Sequence, residues 1–344
     1  MRLSILIPLY NKEQYIDRCM DSLLAQGLAP GDFEVILVDD GSKDASAAIA
    51  GRYAAEHGNV RLISQENAGP SAARNRALEA AGGDYVYFLD ADDLLAGHVA
   101  GRLLDICEEN NLDILEFNSR DIENHLVADA DLEGSPDGTE SVTPVADGLT
   151  FISRYYFRNQ AWRYFIKRAY LLESGIRFPE DMRAYEDLIF TASIILHSNR
   201  MARVELDAHR YVIVPGSIVT SKDPEINLGF IQGMVKAVGE LNRLIRGLDN
   251  SHKAYAGVVK KMRTKQQSIV FALCLRVFKY RLHNRRDLKK ILDQLSAFKA
   301  YPMDRKIREI DNGNAFHSRI MVPIFNNRTL LFLGAGIMRL VPRT

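Results

Sequence analysis

The chain has 344 residues, 47% hydrophobic and 26% charged, with 3 cysteines, which suffices for about two globular domains of ~100–200 residues each. Those proportions exclude a disordered tail, a collagen-like repeat and a small disulfide scaffold. The formal net charge of zero hides an asymmetry: residues 1–250 carry 24 Lys and Arg against 39 Asp and Glu, and residues 251–344 carry 20 against 5.

Residues 3–9 (LSILIPL) read as a first β-strand. The run is too short for a signal sequence or a membrane span. Residues 13–26 place Tyr15, Ile16, Met20, Leu23 and Leu24 at helical spacing. A second strand, Phe33 to Val38, ends in Asp39-Asp40-Gly41-Ser42, and a helix follows from Ala45 to His57. Strand 60–64, a helix opening at Gly69-Pro70-Ser71, and strand Tyr85 to Leu89 complete a strand–helix alternation. That alternation predicts an α/β domain with a mostly parallel sheet covered on both faces. Ligands of such sheets sit beyond the carboxyl ends of the strands, where the acidic clusters Asp39–Asp40 and Asp90–Asp93 fall.

A helix is expected from about Leu94. Residues 118–150 are polar and read as an excursion loop. Residues 151–222 read as mixed, with a helix near Glu186 and strands at 202–206 and 210–214. Beyond Pro224 helices are expected over 225–247, 252–283 and 286–299. Apolar stretches at 320–341 are broken by Pro323, Asn326, Asn327 and Arg328, so a membrane-spanning helix is not expected. Cys19, Cys107 and Cys274 lie far apart without CxxC spacing, which fits a reducing cytoplasm and no zinc site.

Three carboxylates within Asp90-Ala91-Asp92-Asp93 repel one another unless cations neutralise them. Hard ions such as Mg²⁺ or Mn²⁺ take one or two carboxylates with phosphate oxygens. The alternative is that Asp92 or Asp93 caps the helix expected at Leu94. Asp39-Asp40-Gly41-Ser42 is either a turn with a helix cap or an acceptor for a nucleobase N–H. Asn67–Asn75 offers backbone N–H groups at a helix start and the Arg74 guanidinium one turn in, which suits a diphosphate; an exposed Arg74 is the alternative.

Four ordered motifs, Ser4–Asn11 (SILIPLYN), Val38–Ser42 (VDDGS), Asn67–Asn75 (NAGPSAARN) and Phe88–Asp93 (FLDADD), resemble the nucleotide-sugar-binding half of family-2 glycosyltransferases of the bacterial surface-polysaccharide type. The resemblance implies the glycosyltransferase-A fold over residues 1–223. Residues 1–105 would be the nucleotide-sugar half and 106–223 the acceptor half, with a basic, mainly helical region at 224–344. It implies that Pro8, Tyr10 and Asn11 edge the nucleotide pocket, that Asp40 binds the uracil of a UDP-sugar, that Gly69 and Arg74 approach the donor, that Asp90 and Ala91 face the ribose or sugar, and that Asp92 ligates Mn²⁺ or Mg²⁺. Asp93, Trp162 and His209 are auxiliary candidates.

Trp162 with Lys167 resembles the family's tryptophan strand, Phe178–Glu180 with Tyr185–Phe190 its catalytic Glu-Asp motif, and Tyr211–Ser217 (YVIVPGS) its closing strand and turn. Val212–Val214 stand where a basic residue often follows the tyrosine, and His209 and Arg210 lie close by as substitutes. One carboxylate, Asp187 with Glu186 as runner-up, is expected to take the acceptor proton, which predicts inversion at the anomeric carbon. The alternative for both is a pair of helix N-terminal acids. The acceptor implied is a glycan or lipid-linked glycan.

The basic stretch 276–290 and the apolar 320–341 segment point either to an anionic membrane surface, on the inner face of the plasma membrane, or to a helical cap. Two other classes compete: a nucleotidyltransferase acting on sugar phosphates, for which Pro8-Leu9-Tyr10-Asn11 is not the expected Gly-rich phosphate loop, and a non-catalytic nucleotide-sugar binder. An acidic pocket disfavours nucleic acid as a partner.

Overall fold

The structure, a computed structural model, describes residues 1–124, 139–214, 223–280, 285–304 and 320–340. Residues 125–138 of the polar stretch, Pro215-Gly216-Ser217 of the expected closing turn, 281–284 of the basic stretch and position 341 lie outside the described residues. The chain divides into two compact units. The first comprises residues 1–151, 157–180 and 190–215, and the second 152–156, 181–189 and 216–344.

In chain order the elements through the sheet are β1 (Leu3–Leu9), α1 (Ile16–Leu24), β2 (Phe33–Asp39), α2 (Ser46–Glu56), β3 (Val60–Ser64), α3 (Pro70–Ala80), β4 (Tyr85–Phe88), β5 (Leu94–Leu95), α4 (Val99–Glu109), β6 (Ile114–Glu123), α5 (Gly148–Arg154), a 3-10 turn (Ala161–Arg163), β7 (Tyr164–Lys167), α6 (Arg168–Ser174), α7 (Glu186–His197) and β8 (Met201–Ile213). The helices α8 (Pro224–Arg246), α9 (Tyr255–Tyr280), α10 (Arg285–Ala297), α11 (Val322–Asn326) and α12 (Arg328–Leu340) follow.

The eight strands form one sheet in the order β3-β2-β1-β4-β7-β6-β8-β5. β1 pairs in parallel with β2, from Leu3 opposite Phe33 to Leu9 opposite Asp39, and with β4, from Leu3 opposite Tyr85 to Leu6 opposite Phe88. This register brings the carboxyl ends of three strands to one edge. β1 and β2 are buried along almost their whole length, which explains why they read as continuous apolar runs rather than alternating ones. α1 covers one face with Ile16, Cys19, Met20 and Leu23, an i, i+3, i+4, i+7 stripe, all fully buried.

Three expectations fail here. Residues 118–123, read as the start of a loop, continue β6 to Glu123 and pair with β8. Leu94 and Leu95 do not start a helix: both are fully buried and form β5, antiparallel to Arg210 and His209 of β8. The next helix begins only at Val99, so Asp92 and Asp93 are not its caps. The two strands expected at 202–206 and 210–214 are one strand of 13 residues, β8. Its parallel register with β6 shifts between Glu116 and Asn118 and again between Asn118 and Ser119. An irregularity of that kind bends a strand without ending it.

In the second unit, Asp223 caps α8, its Oδ1 accepting from the N–H groups of Glu225 (2.7 Å) and Ile226 (3.1 Å), with Pro224 in the first turn. Residues 181–185 lie against this helix. A Cβ at Gly233 would stand 3.0 Å from both the Cβ and the N of Ala184, so any larger residue there would push the two backbones apart. Among the described residues no helix is long and apolar enough to cross a membrane.

Candidate functional site

The strand ends of the first unit carry a network built from β1, β2, α3 and β4. The backbone N–H of Asp40 donates to the Leu9 carbonyl (2.8 Å), which locks the two strand ends together. The Asp40 side chain is buried and faces the loop before α3. Its Oδ1 accepts from Gln65 Nε2 (2.7 Å) and the Ala68 N–H (2.8 Å), and its Oδ2 from the Gly69 N–H (2.8 Å). Asp40 thereby fixes the approach to α3. Gly69 has φ +94, a left-handed conformation that glycine adopts without steric cost. Pro70 follows as the first residue of α3.

Asn11, just past β1, also has a left-handed backbone, φ +50; asparagine is one of the residues that tolerate this region. Its N–H donates to Ser42 Oγ (3.1 Å) and its Oδ1 accepts from the Lys43 N–H (2.8 Å). Pro8 is half-buried, Tyr10 is exposed, and Ala91 is buried.

The acidic tetrad follows β4, and basic side chains of the protein reach it. Each of its three carboxylates has a partner within the protein. Arg74, buried, donates through Nη2 to Asp90 Oδ1 (2.7 Å), and its guanidinium stacks over the Phe178 ring at 5.2 Å. Lys12 Nζ donates to Asp92 Oδ2. Asp93 accepts the Val212 N–H at Oδ1 (2.8 Å) and meets His209 Nε2 at Oδ2 (3.1 Å). Side-chain exposure falls from 31% at Asp90 to 15% at Asp92 and 1% at Asp93. Asp90 and Asp92 are therefore partly exposed, and Asp93 is buried.

Burial, followed by the charges of Asp90 and Asp92, pushes the Asp93 carboxyl well above the usual carboxylate range. Burial, followed by Arg163 and Arg210, holds His209 well below the ordinary histidine range. Burial thus favours the neutral form of both groups. The ring of His209 also lies 2.8 Å from Tyr87 Oη through Nδ1. Trp162 stacks on it with centroids 4.0 Å apart, and Tyr211 stacks on Trp162 at 5.7 Å. His209 and Trp162 brace β8 against β4. Arg210 is buried and ion-paired with Asp207 at 3.0 Å. Both basic residues considered as substitutes in the closing strand are thus engaged inside the first unit.

Glu186 and Asp187 belong to the second unit, in the first turn of α7. Tyr185, immediately before them, has φ +64, a conformation costing a non-glycine residue about 1–2 kcal/mol. Its ring packs edge-on against Phe230 of α8 at 6.0 Å. The Arg276 guanidinium lies 4.0 Å from the same Phe230 ring and donates through Nε to Asn227 Oδ1 (2.8 Å). Lys236 of α8 is ion-paired with Asp181.

Residues 4–164 match the family model described as Glycosyl transferase family 2. Residues 4–164 thus form a family-2 glycosyltransferase domain. A relative described as an uncharacterized glycosyltransferase, EpsJ of Bacillus subtilis, is 34% identical over 217 residues, covering 62% of this chain and 62% of the relative. The poly(ribitol-phosphate) beta-glucosyltransferase of Bacillus spizizenii is 31% identical over 245 residues, covering 69% of this chain and 37% of the relative. The match therefore spans less than two thirds of the length of either. Staphylococcus aureus TarS 1–349, solved in complex with UDP-GlcNAc, has the same fold with a TM-score of 0.65 at 21% identity, covering 99% of this chain and 92% of the other. The family-2 domain here thus has the glycosyltransferase-A fold expected from its motifs, with a C-terminal helical region.

Among the described residues, no three His, Cys, Asp or Glu side chains converge to hold a metal. A divalent ion at this edge would draw on Asp92 and take its remaining ligands from diphosphate oxygens and water, a donor set that hard cations accept. The residues present fit that arrangement. Sequence reasoning missed Lys12. Its only signal is that three adjacent acids need positive charge, and Lys12 is the first cation after β1.

Proposed function

We propose that this chain is an inverting, metal-dependent glycosyltransferase. It would move a sugar from a nucleotide-diphospho-sugar, a UDP-sugar in our reading, to a hydroxyl of a glycan or lipid-linked glycan in surface polysaccharide synthesis. One observation carries the reading. Asp90 and Asp92 are the partly exposed carboxylates of the tetrad, each held by a basic side chain, at the same sheet edge where Asp40 orders the loop leading into α3. In this proposal Asp40 and the 65–69 loop bind the base, Asp90 with Arg74 faces the ribose and diphosphate, and Asp92 holds Mn²⁺ or Mg²⁺. A bound divalent ion supplies Lewis-acid neutralisation of charge on the departing diphosphate. Arg74 adds a fixed positive charge in a site largely shielded from water. Asp187 takes the proton from the acceptor hydroxyl, with Glu186 beside it. A single base acting opposite the leaving group gives inversion. The test is release of UDP from a panel of UDP-sugars with Mn²⁺ and candidate acceptors. Acceptor-stimulated UDP release is expected for at least one donor, with the product of inverted anomeric configuration. Absence of release from every nucleotide-sugar in the panel, or retention in the product, would refute the reading.

The acceptor side rests on a second observation. Leu330 and Leu333, on α12, are 47% and 58% exposed, in a region where basic residues outnumber acidic ones fourfold. We read this as a surface that meets anionic lipid, where a lipid-linked acceptor would be presented. The full chain is expected to sediment with anionic vesicles at low salt, and Leu333→Asp to weaken that binding. Absence of sedimentation at low salt would rule the surface out.

A further inference from the structure

The partner of Asp92 has a role of its own, on the reading that Asp92 is the metal carboxylate. Lys12 is held in place by its backbone: its N–H donates to Ser46 Oγ at 2.6 Å. The residue before it is tied to Ser42 and Lys43, and the Glu13 N–H after it donates to Asp44 Oδ2 at 3.2 Å. The start of the side chain is therefore fixed, and its ammonium rests on Asp92 Oδ2, 5.7 Å from the centroid of the Tyr15 ring. Lys12 and Asp92 side chains are 29% and 15% exposed, a lip that a solute reaches and where charges are only partly screened.

Arg74 is committed to Asp90 and buried. Lys12 is the outer of the two cations on the tetrad, and it stands where a divalent ion would be drawn. A metal arriving alone must displace the ammonium or sit beside a like charge, and both oppose binding. A metal arriving with a diphosphate brings oxygens that can accept the ammonium, so the penalty is removed. We propose that Lys12 is an internal counterion of Asp92, which makes divalent-cation binding conditional on a nucleotide diphosphate. Metal and nucleotide then bind with positive coupling, and the coupling is reciprocal. Lys12 is a positioning residue: it acts on the cation through Asp92, and its flexible stem lets the ammonium change partners.

The experiment reads metal binding rather than turnover. Free Mn²⁺ is followed by electron paramagnetic resonance during titration of the full chain, with and without UDP. In the wild type, UDP is expected to tighten Mn²⁺ binding by at least about tenfold. In Lys12→Met, Mn²⁺ alone is expected to bind about tenfold more tightly than in the wild type, and the gain on adding UDP to shrink. Lys12→Arg, which keeps the charge, should behave as the wild type. Equal or weaker Mn²⁺ affinity in Lys12→Met without nucleotide would overturn the proposal, as would a wild type whose Mn²⁺ affinity ignores UDP. Asp92→Ala separates the two levels. If it leaves Mn²⁺–UDP binding unchanged, the metal assignment itself falls; if it abolishes that binding while Lys12→Met changes nothing, the counterion role alone falls.

Discussion

Asp187→Asn is expected to lower turnover by about 10²–10⁴-fold, the usual contribution of a positioned general base. The affinity for UDP should stay near that of the wild type. The amide keeps the shape of the carboxylate and loses only its ability to take a proton, so the loss belongs in kcat. Asp187 lies in the first turn of α7, where an acid also interacts favourably with the helix dipole, worth about 0.3–1 kcal/mol. That role predicts a small fall in melting temperature and near-normal turnover. Single-turnover rates with calorimetric UDP binding distinguish the two, and turnover within a few-fold of wild type would remove Asp187 from catalysis. Glu186→Gln, tested in parallel, identifies which member of the pair takes the proton.

Asp92→Ala is expected to act at the opposite step. The Mn²⁺-dependent part of UDP binding should weaken by at least about a hundredfold, as losing ~3 kcal/mol of charge stabilisation would require. Binding of uridine, which has no diphosphate, should hardly change. The fold should tolerate the substitution, because Asp92 is partly exposed and its partner Lys12 also reaches solvent. Asp93→Ala is the contrasting case: it strips the Val212 N–H and His209 of a buried acceptor, so its effect falls on stability. UDP affinity that is unchanged by Asp92→Ala, at saturating Mn²⁺, would refute the ligand assignment.

Much of the first unit was legible because its first three strands are short, mostly apolar and punctuated. β1, β2 and β3 begin where the sequence places them, and α3 opens at Pro70 after a glycine. The acidic clusters mark the points where the chain leaves the buried strands; the buried Glu34 and Glu116 inside strands are each paired with an arginine. Leu94-Leu95 misled because two leucines carry no period, and only their pairing with residues 209–210 decides between helix and strand. The division of β8 into two strands failed for a related reason: Glu205 and Asp207 look like a break, yet a shift in register carries the strand through them. Lys12 was hard to single out because its partner lies 80 residues away. His209 is only an auxiliary candidate in the sequence, because the Trp162 ring and the Tyr87 hydroxyl that hold it come from distant segments.

The narrow gap between Gly233 and Ala184 bears on how this chain can be cut. Asp181–Ile189 group with the C-terminal helices and not with the sheet, although they precede β8 in the sequence. Trimming the protein to its nucleotide-binding sheet would keep the acidic pair of α7 and discard the helix on which its leading loop is moulded. A cut near residue 223 therefore parts this loop from the helix it packs on, so the loop is expected to lose its conformation in the shortened chain.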